Sequence, residues 1–266
     1  MNLALSVPVK GARRAGGVAQ FGLACRKLDS ESCVSTHDLL ESVHRQKFFA
    51  YAPEKTPAML DVIERSRGGA GRLNLFYLWG IHCKGVPDEF DERGLEFLEN
   101  FRAYVASHFS CDAQLHMVLC DVHARINEVP ENLISSYASG IERLASRNGW
   151  AVEYMSQLWE ENGLNLDGLA KAVVDNEKTI RVPCDDLLLR FANRYYLGAD
   201  PRQGLMRYFL ARLWEKPILE QQFREHIHVT AADARLDFLQ PEMPTFWVWT
   251  LHRGRSAKPW FRNTGE

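Results

Sequence analysis

The chain has 266 residues, 46% hydrophobic and 25% charged, ordinary proportions for a globular protein able to bury a sizeable core. Its 32 basic and 34 acidic residues give a formal net charge of −2, so no global field favours nucleic acid or an anionic membrane. Six cysteines without a CxxC pair point away from a zinc ribbon or a disulfide framework, and no apolar run approaches the ~20 residues of a membrane span. The composition therefore reads as a cytoplasmic protein with reduced thiols, of undefined oligomeric state.

Residues 1–28 contain no acid and carry Lys10, Arg13, Arg14, Arg26 and Lys27. A transit peptide has this character, but the expectation is a poorly ordered basic segment over 1–35 followed by a single α/β domain over 36–266. Thr36-His-Asp-Leu-Leu-Glu reads as a helix start capped by Thr36, with Leu39, Leu40, Val43 and Phe48 near helical spacing. A second helix is expected from Pro57 to Gly68-Gly69, burying Ala58, Leu60, Val62 and Ile63. Leu73–Trp79 is apolar, aromatic and bounded by glycines, which predicts a buried strand. Asp91–Phe109 follows as a helix, Gln114–Cys120 as a second strand, and a helix with Pro130 in its first turn continues to Asn148-Gly149. Trp150–Met155 reads as a third strand. This alternation predicts a mostly parallel sheet with helices on both faces. Residues 165–225 read as an inserted lobe of three helices broken near Pro183 and Pro201. His226–Thr230 and Thr245–Leu251 return to strand character, with Arg235–Leu239 between them, and suggest an antiparallel edge.

Ligands of open α/β sheets bind beyond the carboxyl ends of the strands. The first strand ends in Trp79-Gly-Ile-His-Cys-Lys84. There Gly80 allows a tight turn, His82 and Lys84 can face a ligand together, and Lys84 can hold a phosphate or act as an amine nucleophile. The second strand ends in Cys120-Asp-Val-His-Ala-Arg-Ile-Asn127. In extended backbone Asp121 and His123 share a side and can do acid–base work, with Asn127 adding an amide. Lys84, Asp121 and His123 are thus the catalytic candidates; Trp79, Gly80, His82, Asn127 and Tyr137 are the binding candidates. Several have a plainer reading: Tyr137 suits a core position, Lys84 can be solvated, His82 can pack on its loop, Asp121 can cap a turn, and His123 can be satisfied by backbone. His226 and His228 share a strand face, but spacing implies no third ligand, so no metal is assigned. Lys258-Pro-Trp-Phe261 and the Trp247/Trp249 pair can wall an aromatic pocket or cover a core edge. GxGxxG, P-loop, GxSxG and HExxH motifs are absent, as is the glycine-rich turn of S-adenosylmethionine methyltransferases.

The order of Lys84, Pro87-Asp88, Leu95, Leu98, Asp121, Val129, Glu131 and Tyr137 over Leu73–Leu144 resembles the isocyanide synthases of the pyoverdine/dityrosine biosynthesis type. That resemblance implies a Rossmann-like enzyme of specialised metabolism, which converts the amino group of an amino acid to an isocyanide with carbon from ribulose 5-phosphate. Lys84 would then lie near this sugar-phosphate co-substrate and Asp121 at the site. The Ser-Asp-Gly-like strand end of that family reads Cys120-Asp121-Val122-His123 here, and the chain is shorter than typical members. Cyclodipeptide synthases are similar in broad architecture, but their serine-nucleophile loop is not found. Two alternatives stand beside the biosynthetic reading. One is an aminoacyl-tRNA-dependent transferase with a basic surface formed by Arg190, Arg194, Arg202, Arg207 and Arg212. The other is a non-catalytic binding protein on an enzyme-like fold.

Overall fold

The computed structural model describes residues 34–43, 48–67, 71–81, 83–176, 181–183 and 185–248. The basic segment over 1–33, His82, Trp249 and the tail containing Lys258–Phe261 lie outside the described residues. Five strands form one sheet in the order β3-β2-β1-β4-β5: β1 Arg72–Gly80, β2 Asp112–Cys120, β3 Ala151–Tyr154, β4 His226–Thr230 and β5 Thr245–Trp247. Every pairing is parallel. The expected α/β class with a parallel sheet is therefore what the chain adopts, but its last edge is not antiparallel. The connection over 231–244 includes a 3₁₀ helix, Ala234–Leu239, and is long enough for the dozen or so residues that a parallel crossover needs. Antiparallel contact is present only as an isolated bridge from Phe49 to Val248 among the described residues.

Helices α1 Thr36–Ser42, α2 Pro57–Arg67, α3 Glu89–Phe109 and α5 Glu131–Arg147 supply the core on one face of the sheet, around Leu73, Leu75, Tyr77 and Trp79. Alternate strand residues Phe76, Val118 and Cys120 face the other way, onto α6 Met155–Glu161, α7 Leu166–Asn176 and α9 Pro201–Gln222. A third cluster joins α8 Asp185–Tyr195 to α9 and the 3₁₀ helix through Leu188, Leu205, Phe209 and Leu236.

Local chemistry accounts for several boundaries. α1 is capped by Ser35 rather than Thr36: the Ser35 hydroxyl accepts from Asp38 N, and Thr36 is buried. α2 buries Met59 instead of Ala58, which faces solvent. α3 starts earlier than its apolar spacing suggests because Asp88 and Asp91 form a reciprocal capping box. Pro130 is the N-cap of α5, one position outside the helix. Pro201 opens α9, whereas Pro217 lies inside it without ending it.

Candidate functional site

The carboxyl ends of β1 and β2 lie side by side, with Gly80 opposite Cys120. Beyond these ends the two segments diverge. Gly80 takes no left-handed conformation; the turn that needs glycine comes at Gly85, with φ of 75°. The β1 loop then leans onto α5, where Gly140 leaves room for the Pro87 ring. Lys84 pairs with Asp88 and lies 4.0 Å from Asp91 Oδ2. Burial would raise the Asp88 carboxyl, but Lys84 and Asp91 outweigh it and bring the pKa to about 2. Asp91 is fully buried and accepts from the Tyr137 hydroxyl at 2.8 Å, which in turn accepts from Trp79 Nε1 at 3.3 Å. Trp79 and Tyr137 thus behave as core residues with bonded polar ends, one layer behind Lys84.

The segment after β2 is a helix, not a loop: α4 covers Asp121–Ile126 and begins directly at the strand end. Helical backbone turns residues two apart to different sides, so Asp121 and His123 do not form the pair that extended backbone would give. Asp121 accepts from Ser156 N at 2.9 Å and pairs with Arg125 at 2.5 Å; Arg125 also binds Glu131. His123 points to α9, where its Nε2 lies 2.8 and 2.9 Å from the two oxygens of Glu215. Glu215 also accepts from Arg212 at 2.8 Å, and both Arg212 and Glu215 are buried.

This buried triad carries charge. Burial alone would favour a neutral His123, yet Glu215 and the nearby Cys120 thiol hold its pKa well above the ordinary value. Burial would likewise raise the Glu215 carboxyl, but His123 and Arg212 hold it down. Imidazolium, carboxylate and guanidinium stabilise one another where a lone charge would be costly. The triad backs a cavity of about 230 Å³. His123 meets Tyr208 edge-on at 5.3 Å, and Arg212 donates to Leu239 O at 3.0 Å and Gln240 Oε1 at 3.5 Å. Tyr208, Leu239 and Gln240 all line the cavity. Its other walls include Leu188, Phe191 and Leu205, with the polar residues Asn127 and Asp233 also in the lining. Asn127 follows α4 and Asp233 follows β4, so the cavity opens beyond the carboxyl ends, on the side where strand order reverses from β1 to β4.

Of the sequence candidates, Asn127 lines this cavity and His123 lies one ring behind it; Lys84 and Asp121 belong to separate ion-pair clusters. Tyr208, Glu215, Asp233 and Gln240 were not singled out from sequence. Glu215 is 92 positions from His123, and no local spacing announces such a contact. The arginines expected at a basic surface are mostly engaged: Arg202 with Asp185, Arg207 with Glu128, and Arg212 inside the protein at 3% exposure. No helix among the described residues is long and apolar enough to cross a membrane.

No protein-family model matches the chain, and no curated protein matches it. Among solved structures it is similar to the PvcA protein of Pseudomonas aeruginosa, with 14% identity, a TM-score of 0.53 and 76% of each chain covered. That similarity shows a shared fold. Weaker likenesses extend to a Mycobacterium tuberculosis protein described as relating cyclodipeptide synthetases to type I tRNA-synthetases, with 11% identity, a TM-score of 0.43 and coverage of 77% of this chain and 97% of that one. Tyrosyl-tRNA synthetase of Archaeoglobus fulgidus gives 11% identity, a TM-score of 0.42 and coverage of 80% and 63%.

Proposed function

We propose that this chain is a biosynthetic enzyme that takes an amino acid, or an activated amino acid, into the cavity beside Asn127 and modifies it in the manner of an isocyanide synthase. The supporting observation is the cavity itself: a small aromatic and aliphatic chamber with a few polar groups, beyond the carboxyl ends of a parallel sheet. Its volume of about 230 Å³ suits one small molecule. An apolar side chain would lie against Leu188, Phe191 and Leu205, and the polar end would meet Asn127, Asp233 or Gln240. The sequence resemblance to isocyanide synthases and the fold shared with PvcA support the same reading.

In this proposal His123, held in its charged form by Glu215, is the proton donor nearest the cavity, one ring behind Tyr208, and Asp121 would act only on release of its pair with Arg125. Lys84 takes the sugar phosphate, and a phosphate there would compete with Asp88 for the ammonium. The test is mass spectrometry after incubation with aromatic and aliphatic L-amino acids, with and without ribulose 5-phosphate. The expected product is one carbon heavier and two hydrogens lighter than the amino acid. His123→Gln should lower turnover by ~10²–10⁴ with the fold intact. Full activity in Lys84→Ala, Asp121→Asn and His123→Gln would overturn these roles.

One observation favours a second reading, a non-catalytic binding protein. Lys84, Asp121 and His123 are each engaged in a different ion pair. Saturable amino-acid binding with no product under any co-substrate would select it.

A further inference from the structure

We propose that His116, Glu153 and His226 form a binding site for a divalent transition metal of the zinc class, near the amino end of the sheet and away from the cavity. In-register pairing places Phe76 beside His116, Asn74 beside His226, and Val118 beside Glu153. Side chains on adjacent parallel strands at the same register share a face, and so do residues two apart. The three candidate ligands therefore rise from β2, β3 and β4 on one side of the sheet, beneath the end of α9.

Their polar atoms are unusual. His116 Nε2, Glu153 Oε2 and His226 Nδ1 are closed to solvent and lack a hydrogen-bond partner. Buried unsatisfied groups are uncommon, and an ion is one of the things that accounts for them. His116 Nε2 also lies in ion-pair contact with Glu153 Oε1, at 3.1 Å. That separation is also the one that two ligands of a single zinc ion keep between them. The His116 and His226 ring centres are 5.9 Å apart. Two imidazoles on one zinc, each nitrogen about 2.0–2.1 Å from the ion, place their ring centres roughly 5–6 Å apart. The three groups are not drawn to a single point here; His226 must turn about its side chain to complete the set. Phe223 closes the region, with its ring 5.2 Å from His116 and 5.1 Å from His226. Two imidazoles and a carboxylate suit zinc and its neighbours better than magnesium or calcium, which favour all-oxygen sites.

His228, two residues along, also has an unpartnered Nδ1, but its ring is stacked on Phe76 at 4.6 Å. It is not assigned as a ligand. The exposed group His37, Asp38 and Glu41 has ligand atoms already within 4.8 Å of one another and serves as the competing site.

The test is calorimetric titration of tag-free, chelator-stripped full chain with zinc chloride. One equivalent should bind, and His226→Ala and Glu153→Gln should each weaken it at least tenfold, while His37→Ala leaves it unchanged. X-ray absorption of the wild-type zinc complex should count two imidazoles, which keeps the proposal testable if a variant fails to fold. Absence of saturable binding by the wild type would overturn the site. So would unchanged affinity in His226→Ala, loss confined to His37→Ala, or fewer than two imidazoles on the ion.

Discussion

Glu215 sits between two cations with almost no exposure to water, and its removal tests how much that arrangement matters. Glu215→Gln takes away the carboxylate that both Arg212 and His123 need. Breaking a buried ion pair on one side typically costs about 3–5 kcal/mol, so urea denaturation should show a loss of that order, and a loss below about 1 kcal/mol would contradict the triad. The pH dependence follows from the same groups. The His123 pKa is raised in the folded state, so its contribution is complete below the ordinary histidine value of 6.5 and is lost as pH rises through the raised value. The Glu215 pKa is lowered, so its contribution is complete above 4.5 and is lost as pH falls through the lowered value. The stability difference between wild type and the doubly substituted His123→Gln, Glu215→Gln protein should therefore be largest between about pH 4.5 and 6.5 and shrink on both sides. A difference that keeps rising above pH 6.5 would contradict the assignment. Tyr137→Phe removes a hydroxyl that accepts from Trp79 and donates to Asp91, and should cost about 1–3 kcal/mol in the same assay. At this scale the sequence drew attention to individual polar residues but not to their partners. Asp121 and His123 stood out as a neighbouring acid and imidazole, yet Asp121 pairs with Arg125 along α4 while His123 reaches Glu215 on α9.

Elements were more legible than contacts. β1 and β2 are apolar runs bounded by turn residues, and helices such as α5 show helical spacing through Leu133, Tyr137, Ile141 and Leu144, of which Tyr137 and Ile141 are fully buried. α4 was hidden because Val122, Ala124 and Ile126 alternate with polar residues, which mimics extended chain. A six-residue helix has little stability of its own and is held by packing, which a local pattern does not reveal. The direction of β5 was hidden for a similar reason. Its crossover passes through a 3₁₀ helix instead of an α-helix, so the connection reads as a short link between edge strands. The fit of α5 against the β1 loop yields a direct prediction. A Cβ at Gly140 would come within 2.5 Å of the Pro87 ring, which cannot swing aside as a flexible side chain would. Gly140→Ala should destabilise the protein by about 1–3 kcal/mol and displace the Lys84 loop, read by urea denaturation and by proteolysis near Lys84. An unchanged midpoint would show that the loop adapts freely.

For the whole molecule, the parallel α/β class was readable because strand and helix alternate along the chain. The position of the cavity was not, because its walls come from α8, α9, the end of α4 and the segment after β4. The strand-end rule pointed to the β1 and β2 ends, and the structure keeps the second through Asn127 while moving the chamber toward β4. With a free amino acid as the substrate, the proposed activity should withstand ribonuclease treatment. The most direct measurement is calorimetric titration of wild type and Leu205→Trp with a panel of aromatic and aliphatic L-amino acids, the substitution placing an indole in the chamber. The account predicts saturable binding of at least one of them at a single site in wild type, and its loss in Leu205→Trp while circular dichroism stays unchanged. Absence of binding across the panel, or equal binding by the filled variant, would contradict it.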